Sequence, residues 1–441
     1  MNHLYHQLAS SKLHLTISVF IYASVFYYFG QENLYFGFAA VLGLISFPFL
    51  LQKNGGKLQY GYLIAAVFSA VGAFLTGSFS LFYATFVFGL YFLLSLNFGR
   101  LNLLPLALLF LISPLVSHVT SMFSFPIRLQ LSQWVAYFLS TAGLDIMSEG
   151  NLLILAGERF LVDQECTGLK MLLTGLVLAL IFLSYYERKY KQHATAKQIL
   201  LVLTTSFTLN IFANFSRIII LVVFKIGPDH PMHEIVGVLC LLLYNLAPMF
   251  LLIRFLKPNL VPQIAQVPKM NPISNYLIWF PFLIFLLSAA GWSTHQIKTL
   301  KTHNLQSSIL ENLNKKVLDD QVIKYSSDDL LIYIKPPVSP IRGTHDPKFC
   351  WRGSGYTLEL IKQIQVRGQA IYTGELLKGE DKLYTAWWYQ DGNSVTNSEW
   401  TWRTKGLFDS KAYALINISA ETPDLLQQTL DQYFSELYAV Q

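Results

Sequence analysis

The chain has 441 residues, of which 53% are hydrophobic and 13% charged, and it carries a formal net charge of +6 at pH 7. That balance excludes an ordinary soluble globular domain and points to a membrane protein. Basic loops account for much of the positive charge, so no nucleic-acid partner is implied.

Apolar runs long enough to cross a bilayer as helices stand at about 14–30, 34–52, 60–76, 79–97, 101–117, 168–186, 199–224, 235–256 and 275–292. The expected fold is therefore an α-helical polytopic membrane protein of about nine transmembrane helices, with a C-terminal extracytoplasmic α+β domain. The first run has few basic residues before it and no small-residue cleavage pattern after it, so a retained helix is expected. The first five runs are rich in Phe, Tyr and Leu and read as scaffold.

Lys53, Lys57, Arg100, the run Arg188-Lys189-Tyr190-Lys191, Lys197, Lys257 and Lys269 collect in alternate connections, while those near 31–33 and 77–78 have no basic residue. By the positive-inside rule the basic side is cytoplasmic. Nine crossings then put the N-terminus inside and residues 293–441 outside.

Residues 118–165 break the apolar pattern. From Pro126 to Ala142, apolar residues at 127, 131, 134, 135, 138, 139 and 142 share one helical face, which predicts a helix lying along the outer membrane surface. Asn151–Leu155 and Arg159–Val162, separated by Ala156-Gly157-Glu158, predict a hairpin that leads into Cys166.

Cys166 opens the sixth run, in Glu165-Cys166-Thr167-Gly168-Leu169-Lys170. On the seventh run Ser206, Asn210, Asn214 and Arg217 follow helical spacing and form a polar stripe that must face protein or water. Interhelical hydrogen bonding is an equal reading for the two asparagines. An arginine within a span is costly and functional by default; here it is a candidate to stabilise an oxyanion. His233 precedes the eighth run, and an imidazole beside a thiol can take its proton. Taken alone His233 is more often structural, and no third ligand stands at a zinc-like spacing beside His230 and His233, so neither metal nor cofactor is expected. Asp163 and Glu165 work against an activated thiol and Lys170 offsets them in part. Of the other cysteines, Cys240 lies within a span, and a Cys166–Cys350 disulfide is the structural alternative to a free thiol.

Beyond Trp292, strands are expected at 329–335, 356–366, 369–377, 383–389 and 411–418, followed by a helix with Thr422 as N-cap and Pro423 at its first position. Trp387, Trp388, Trp400 and Trp402 are candidates for stacking on sugars, with core packing expected of at least half of them.

As a set, these motifs resemble the exosortase/archaeosortase family of membrane cysteine transpeptidases. Cys166-Thr167-Gly168 is similar to the family's Cys-x-Gly motif, Asn214-Phe215-Ser216-Arg217 to Asn-x-x-Arg, and His233 with Gly237 to His-x-x-x-Gly, over a core of about 118–256 within a 1–292 transmembrane domain. The resemblance implies Cys166 as nucleophile, His233 as general acid/base and Arg217 as oxyanion or substrate-positioning group, with Asn214, Asn210 and Lys170 as candidate substrate-binding residues. It implies exported protein substrates ending in a short motif, a transmembrane helix and a basic end, and transfer to an acceptor the sequence does not name. The tail, through His345-Asp346-Pro347-Lys348-Phe349-Cys350 and Trp387-Trp388-Tyr389-Gln390, resembles the periplasmic domain that accompanies exosortases in exopolysaccharide systems. That implies a bacterial inner membrane, with the N type among the classes left open. Two other readings stay open: an anion transporter or channel using Arg217, Asn210 and Asn214, which needs no Cys166, and a polysaccharide export component with the bundle as an anchor.

Overall fold

The computed structural model describes residues 2–31, 34, 37–52, 59–162, 168–227, 230–256, 261–262, 279–296, 308–311, 313–318, 322–336, 351, 354–392, 394–408 and 413–439. Packing divides the chain into two compact units, Met1–Ser121 with Gly168–Leu221 and Pro228–Ile297, and Met122–Thr167 with Val222–Gly227 and Lys298–Gln441. The division expected at 292 thus has a further feature: the segment 122–167 groups with the tail.

The first unit is helical. It holds α1 (Asn2–Gly30), α2 (Phe38–Leu50), α3 (Tyr60–Thr76), α4 (Phe79–Phe98), α5 (Leu104–Leu111) and the start of α6 (Pro114–Thr141). After the loop come α7 (Leu169–Tyr190), the short strand β4 (Gln192–His193), most of α8 (Ala196–Val223), α9 (Met232–Leu256, with a π-helical stretch at Leu241–Leu246), β5 (Val261–Pro262), which pairs with β4, and α10 (Trp279–Gln296). Among the described residues four helices are long and apolar enough to cross a membrane: Phe79–Leu96 of α4, α7, α8 and α9. Shorter apolar helices stand at Thr16–Gly30, Phe38–Leu50, Tyr60–Thr76 and Trp279–Gly291. The fold is therefore a helical membrane region with a sheet-rich C-terminal domain, and by this criterion the described residues do not reach nine spans.

The run at 101–117 is corrected outright. Its helix, α5, has 8 residues, about 12 Å at helical rise. Proline in a helix interior removes a hydrogen bond and clashes with the preceding turn. The helix accordingly ends at Leu111, and α6 restarts with Pro114 at its first position, where the missing N–H costs nothing. The helix expected from Pro126 begins a dozen residues earlier, and Pro126 lies inside it. Its expected apolar face also splits, with Leu131, Val135 and Leu139 buried and Trp134 and Phe138 exposed.

One core joins α1, α3, α4 and α10 through interleaved aromatics. Phe26 stacks on Phe86 with ring centroids 4.0 Å apart, and Tyr22 meets Phe285 edge-on at 5.2 Å; each such pair adds about 1 kcal/mol beyond its buried area. A second, aliphatic core joins α2, α5, α7, α8 and α9, around Leu104, Leu180, Leu183, Val202 and Met249.

The second unit centres on an eight-stranded antiparallel sheet. Its strands are β6 (Asn314–Val317), β7 (Ile323–Ser326), β8 (Leu330–Lys335), β9 (Thr357–Val366), β10 (Gln369–Lys378), β11 (Asp381–Asp391), β12 (Ser394–Thr396) and β13 (Ala414–Ala420). They run in the order β6-β7-β8-β13-β11-β10-β9, with β12 on β11. The five expected strands are present, and the short β6, β7 and β12 escape a reading based on alternation. Period-two alternation covers both faces. Ala386, Trp388, Ile416 and Ile418 meet Leu430, Tyr433 and Phe434 of the last helix, α12 (Pro423–Ala439), while Trp387, Tyr389 and Leu415 meet Trp402 of α11 (Glu399–Phe408). Thr422 caps α12, its Oγ1 accepting from the Leu425 N–H at 3.2 Å. Trp387, Trp388 and Trp402 are core residues, and Trp400 is exposed.

The same unit contains a three-stranded antiparallel sheet, β1 (Ile146–Glu149), β2 (Leu152–Leu155) and β3 (Glu158–Leu161). The hairpin β2–β3 is the expected one; β1 extends it.

Candidate functional site

The α8 stripe turns inward. Ser206, Asn210, Asn214 and Arg217 are each no more than 4% exposed, while Phe207, Ile211 and Phe212 on the opposite side are open. An apolar helix with one buried polar edge packs that edge against protein.

Two glycines set the closest approaches. At Gly168, the N-cap of α7, φ is +69° and a Cβ would stand 2.6 Å from Cγ of Asn214. Only glycine adopts that backbone freely, and only glycine leaves room for the asparagine. At Gly237 on α9, a Cβ would stand 3.2 Å from Nε and 3.3 Å from Cζ of Arg217. The guanidinium therefore lies against the backbone of α9. On its other side Arg217 Nη1 donates to Met171 Sδ at 3.8 Å, in the first turn of α7.

His233 stands in the first turn of α9 and is 2% exposed. It shares a helical face with Gly237, four residues on. His230 differs: it is exposed, and its Nδ1 accepts from the Met232 N–H at 3.1 Å. Lys170 lies at the start of α7 and is exposed. Cys166, with Asp163 and Glu165, falls outside the described residues, as does the His345–Cys350 signature. Among the described residues Cys240 is a free, buried cysteine, and no group of three or more His, Cys, Asp or Glu is arranged to hold a metal.

The structure adds a residue that sequence reading missed. Asn245 sits in the π-helical stretch of α9; its Nδ2 donates to the Ser206 carbonyl at 3.1 Å and its Oδ1 accepts from the Ser206 hydroxyl at 3.2 Å. Such bulges recur at functional sites. The signal available was a single asparagine in an otherwise apolar run.

A second polar cluster lies at the far end of α7. Glu187 is fully buried; its Oε2 accepts from Asn102 Nδ2 at 3.0 Å and Gln52 Nε2 at 3.2 Å, and its Oε1 from the Ala194 N–H at 2.7 Å. Buried His193 stands beside it, with Nδ1 3.8 Å from Oε2. Arg188 donates from Nε to the Phe49 carbonyl at 2.8 Å, tying α7 to the end of α2.

These features define a polytopic helical membrane protein whose buried Asn, Arg and His come from two neighbouring helices, the Asn and Arg lying against a third. A family model described as transmembrane exosortase matches residues 28–251, just over half the chain, and the chain belongs to that family. Membership carries, at the level of the family, a transpeptidase-type function in a membrane on substrates with C-terminal sorting signals. No curated protein and no solved structure matches the chain.

Proposed function

We propose that this exosortase is a cysteine transpeptidase in which Cys166 is the nucleophile, His233 the general acid/base and Arg217 the oxyanion or substrate-positioning group. The observation that carries the reading is the interlock of the three motifs: the Cys-motif glycine, Gly168, lies against Asn214, and the His-motif glycine, Gly237, lies against Arg217. Glycines at both places let the polar groups of α8 meet the starts of α7 and α9. One residue, Thr167, separates Cys166 from Gly168, and a thiol near a helix N-terminus is favoured as thiolate.

In this reading the thiolate attacks the scissile carbonyl, giving a thioester and releasing the C-terminal signal as an amine that takes its proton from His233. An acceptor nucleophile then displaces Cys166, and His233 takes its proton. Arg217, with its planar fork of donors, faces the negative oxygen of each tetrahedral intermediate. Asn214, Asn210 and Lys170 bind substrate around this centre. The chain sits in a bacterial inner membrane with its N-terminus cytoplasmic and residues 293–441 periplasmic, with the N type among the candidate classes.

A reporter carrying a short motif, an apolar helix and a basic end tests this. Co-expressed with the protein, it should be cut between the motif and the end of the chain, and deleting its apolar helix should stop cleavage. An intact reporter, over a panel of tails taken from the same genome, would favour the transporter reading.

A further inference from the structure

The tail touches the loop that leads to Cys166, and the contact has the form of a built joint. In β9 the register with β10 shifts between Thr373 and Glu375, so that Leu360 and Ile361 stand opposite one residue. This is a β-bulge, and Leu360 takes φ +47° in it, a left-handed backbone that a branched side chain rarely adopts. Bulges re-aim a strand and recur beside active sites, and strain of this kind persists where the surroundings hold it.

The bulge points the backbone of Ile361 at the three-stranded sheet. The Ile361 N–H donates to Asn151 Oδ1 at 2.9 Å, and Asn151 is 1% exposed. Gly150 comes so close, at φ +61°, that a Cβ there would collide with the Ile361 carbonyl oxygen. The same asparagine closes the base of the hairpin: its Nδ2 donates to the Val162 carbonyl at 3.3 Å and its own carbonyl accepts from the Val162 N–H at 2.8 Å. Leu129 of α6 packs into the cluster of Ile361, Trp387, Tyr389 and Trp402 from the same unit. Lys225, just past α8, pairs with Glu158 of β3 at 2.6 Å, on the surface. Val162 stands four residues before Cys166.

We propose that Gly150 and Asn151 are positioning residues, through which the β9 bulge of the C-terminal domain fixes the strand that delivers Cys166. The tail is then a working part of the transpeptidase and not an independent appendage. One side chain joins Ile361 of the tail to Val162 of the loop, so undocking the tail frees the chain entering the nucleophile. This inference rests on the assignment of Cys166 as nucleophile.

The test uses the full-length protein in membranes, in a Cys350→Ala background, with Gly150→Ala, Asn151→Leu and Asn151→Asp. An aspartate keeps the acceptor for Ile361 and loses the donor to Val162. Three quantities are read: hydrogen exchange of the peptides covering 146–162, 357–362 and 414–420, the rate at which an impermeant maleimide labels Cys166, and kcat and KM on the tailed reporter. In Gly150→Ala and Asn151→Leu we expect faster exchange at 146–162 and 357–362 with 414–420 unchanged, at least a threefold change in labelling rate, and a roughly tenfold loss in kcat at near-constant KM. Asn151→Asp should keep protection at 357–362 and lose it at the hairpin. Undocking without any change in labelling or kcat would overturn the proposal, as would protection unaltered in all three variants. If the unmodified protein leaves the reporter uncut, the transpeptidase reading fails, while exchange and labelling still decide whether the tail fixes the loop.

Discussion

The two ends of α7 meet buried polar groups in different settings. At one end both oxygens of Glu187 accept hydrogen bonds from Asn102, Gln52 and the Ala194 N–H, and Arg188 is tied to backbone carbonyls of α2 and its C-cap. At the other end Asn214 lies against Gly168 and Arg217 against Gly237, and Arg217 Nη1 donates to the sulfur of Met171. The bonds that Glu187 accepts from Asn102 and Gln52 tie α7 to the end of α2 and the chain entering α5. At the glycine end the backbones of α7 and α9 come close to the polar edge of α8.

Under the proposed roles, substitutions at the two ends should fail in different ways. Of the substitutions at the two ends, the largest effect is expected at Arg217→Lys, which keeps the charge and loses the fork of donors. Processing should fall about 10²-fold or more, the scale of losing an oxyanion donor, with normal accumulation in the membrane. Near-normal turnover would reduce Arg217 to a point charge.

Gly237→Ala should come next. The new methyl must displace the guanidinium by a few tenths of an ångström, and small misplacements of a catalytic group are costly; a loss of about tenfold in kcat is expected, measured on protein normalised for insertion.

Glu187→Leu should show the reverse pattern. It strips three buried donors of their acceptor, at about 1–3 kcal/mol for each buried group left unsatisfied. Accumulation and thermal stability in detergent should drop while activity per folded molecule stays near that of the unmodified protein. A stable variant without activity would move Glu187 into the functional set.

The smallest effect concerns the tail. Burial, and then Glu399, pushes the Tyr372 hydroxyl from 10.0 up to about 12. A group whose folded pKa is raised stabilises below its unfolded value and loses that contribution as pH rises through the folded one. Unfolding of the sheet domain should therefore become easier between pH 10 and 12, and Tyr372→Phe should flatten that part of the profile.

How much of this was legible in the sequence differs between residues for physical reasons. The α8 stripe was readable because period 3.6 in an apolar helix leaves few alternatives, and the last helix because Thr422-Pro423 is a local capping signal. The run at 101–117 misled because hydropathy counts residues and does not register that Pro114 ends one helix and starts another. The roles of Gly168 and Gly237 came from motif resemblance, and their reason, contact with Asn214 and Arg217, is a tertiary fact that no spacing encodes. Asn151 and Asn245 were invisible for the same reason, since their partners Ile361 and Ser206 are remote in the chain.

The most direct measurement is processing of a tailed reporter by Cys166→Ala and Cys166→Ser, each normalised to the amount of inserted protein, beside Cys240→Ala. A hydroxyl does not replace a thiolate at neutral pH, so the account predicts no product from either Cys166 variant and ordinary product from Cys240→Ala. Processing by Cys166→Ala at the rate of the unmodified protein would contradict it.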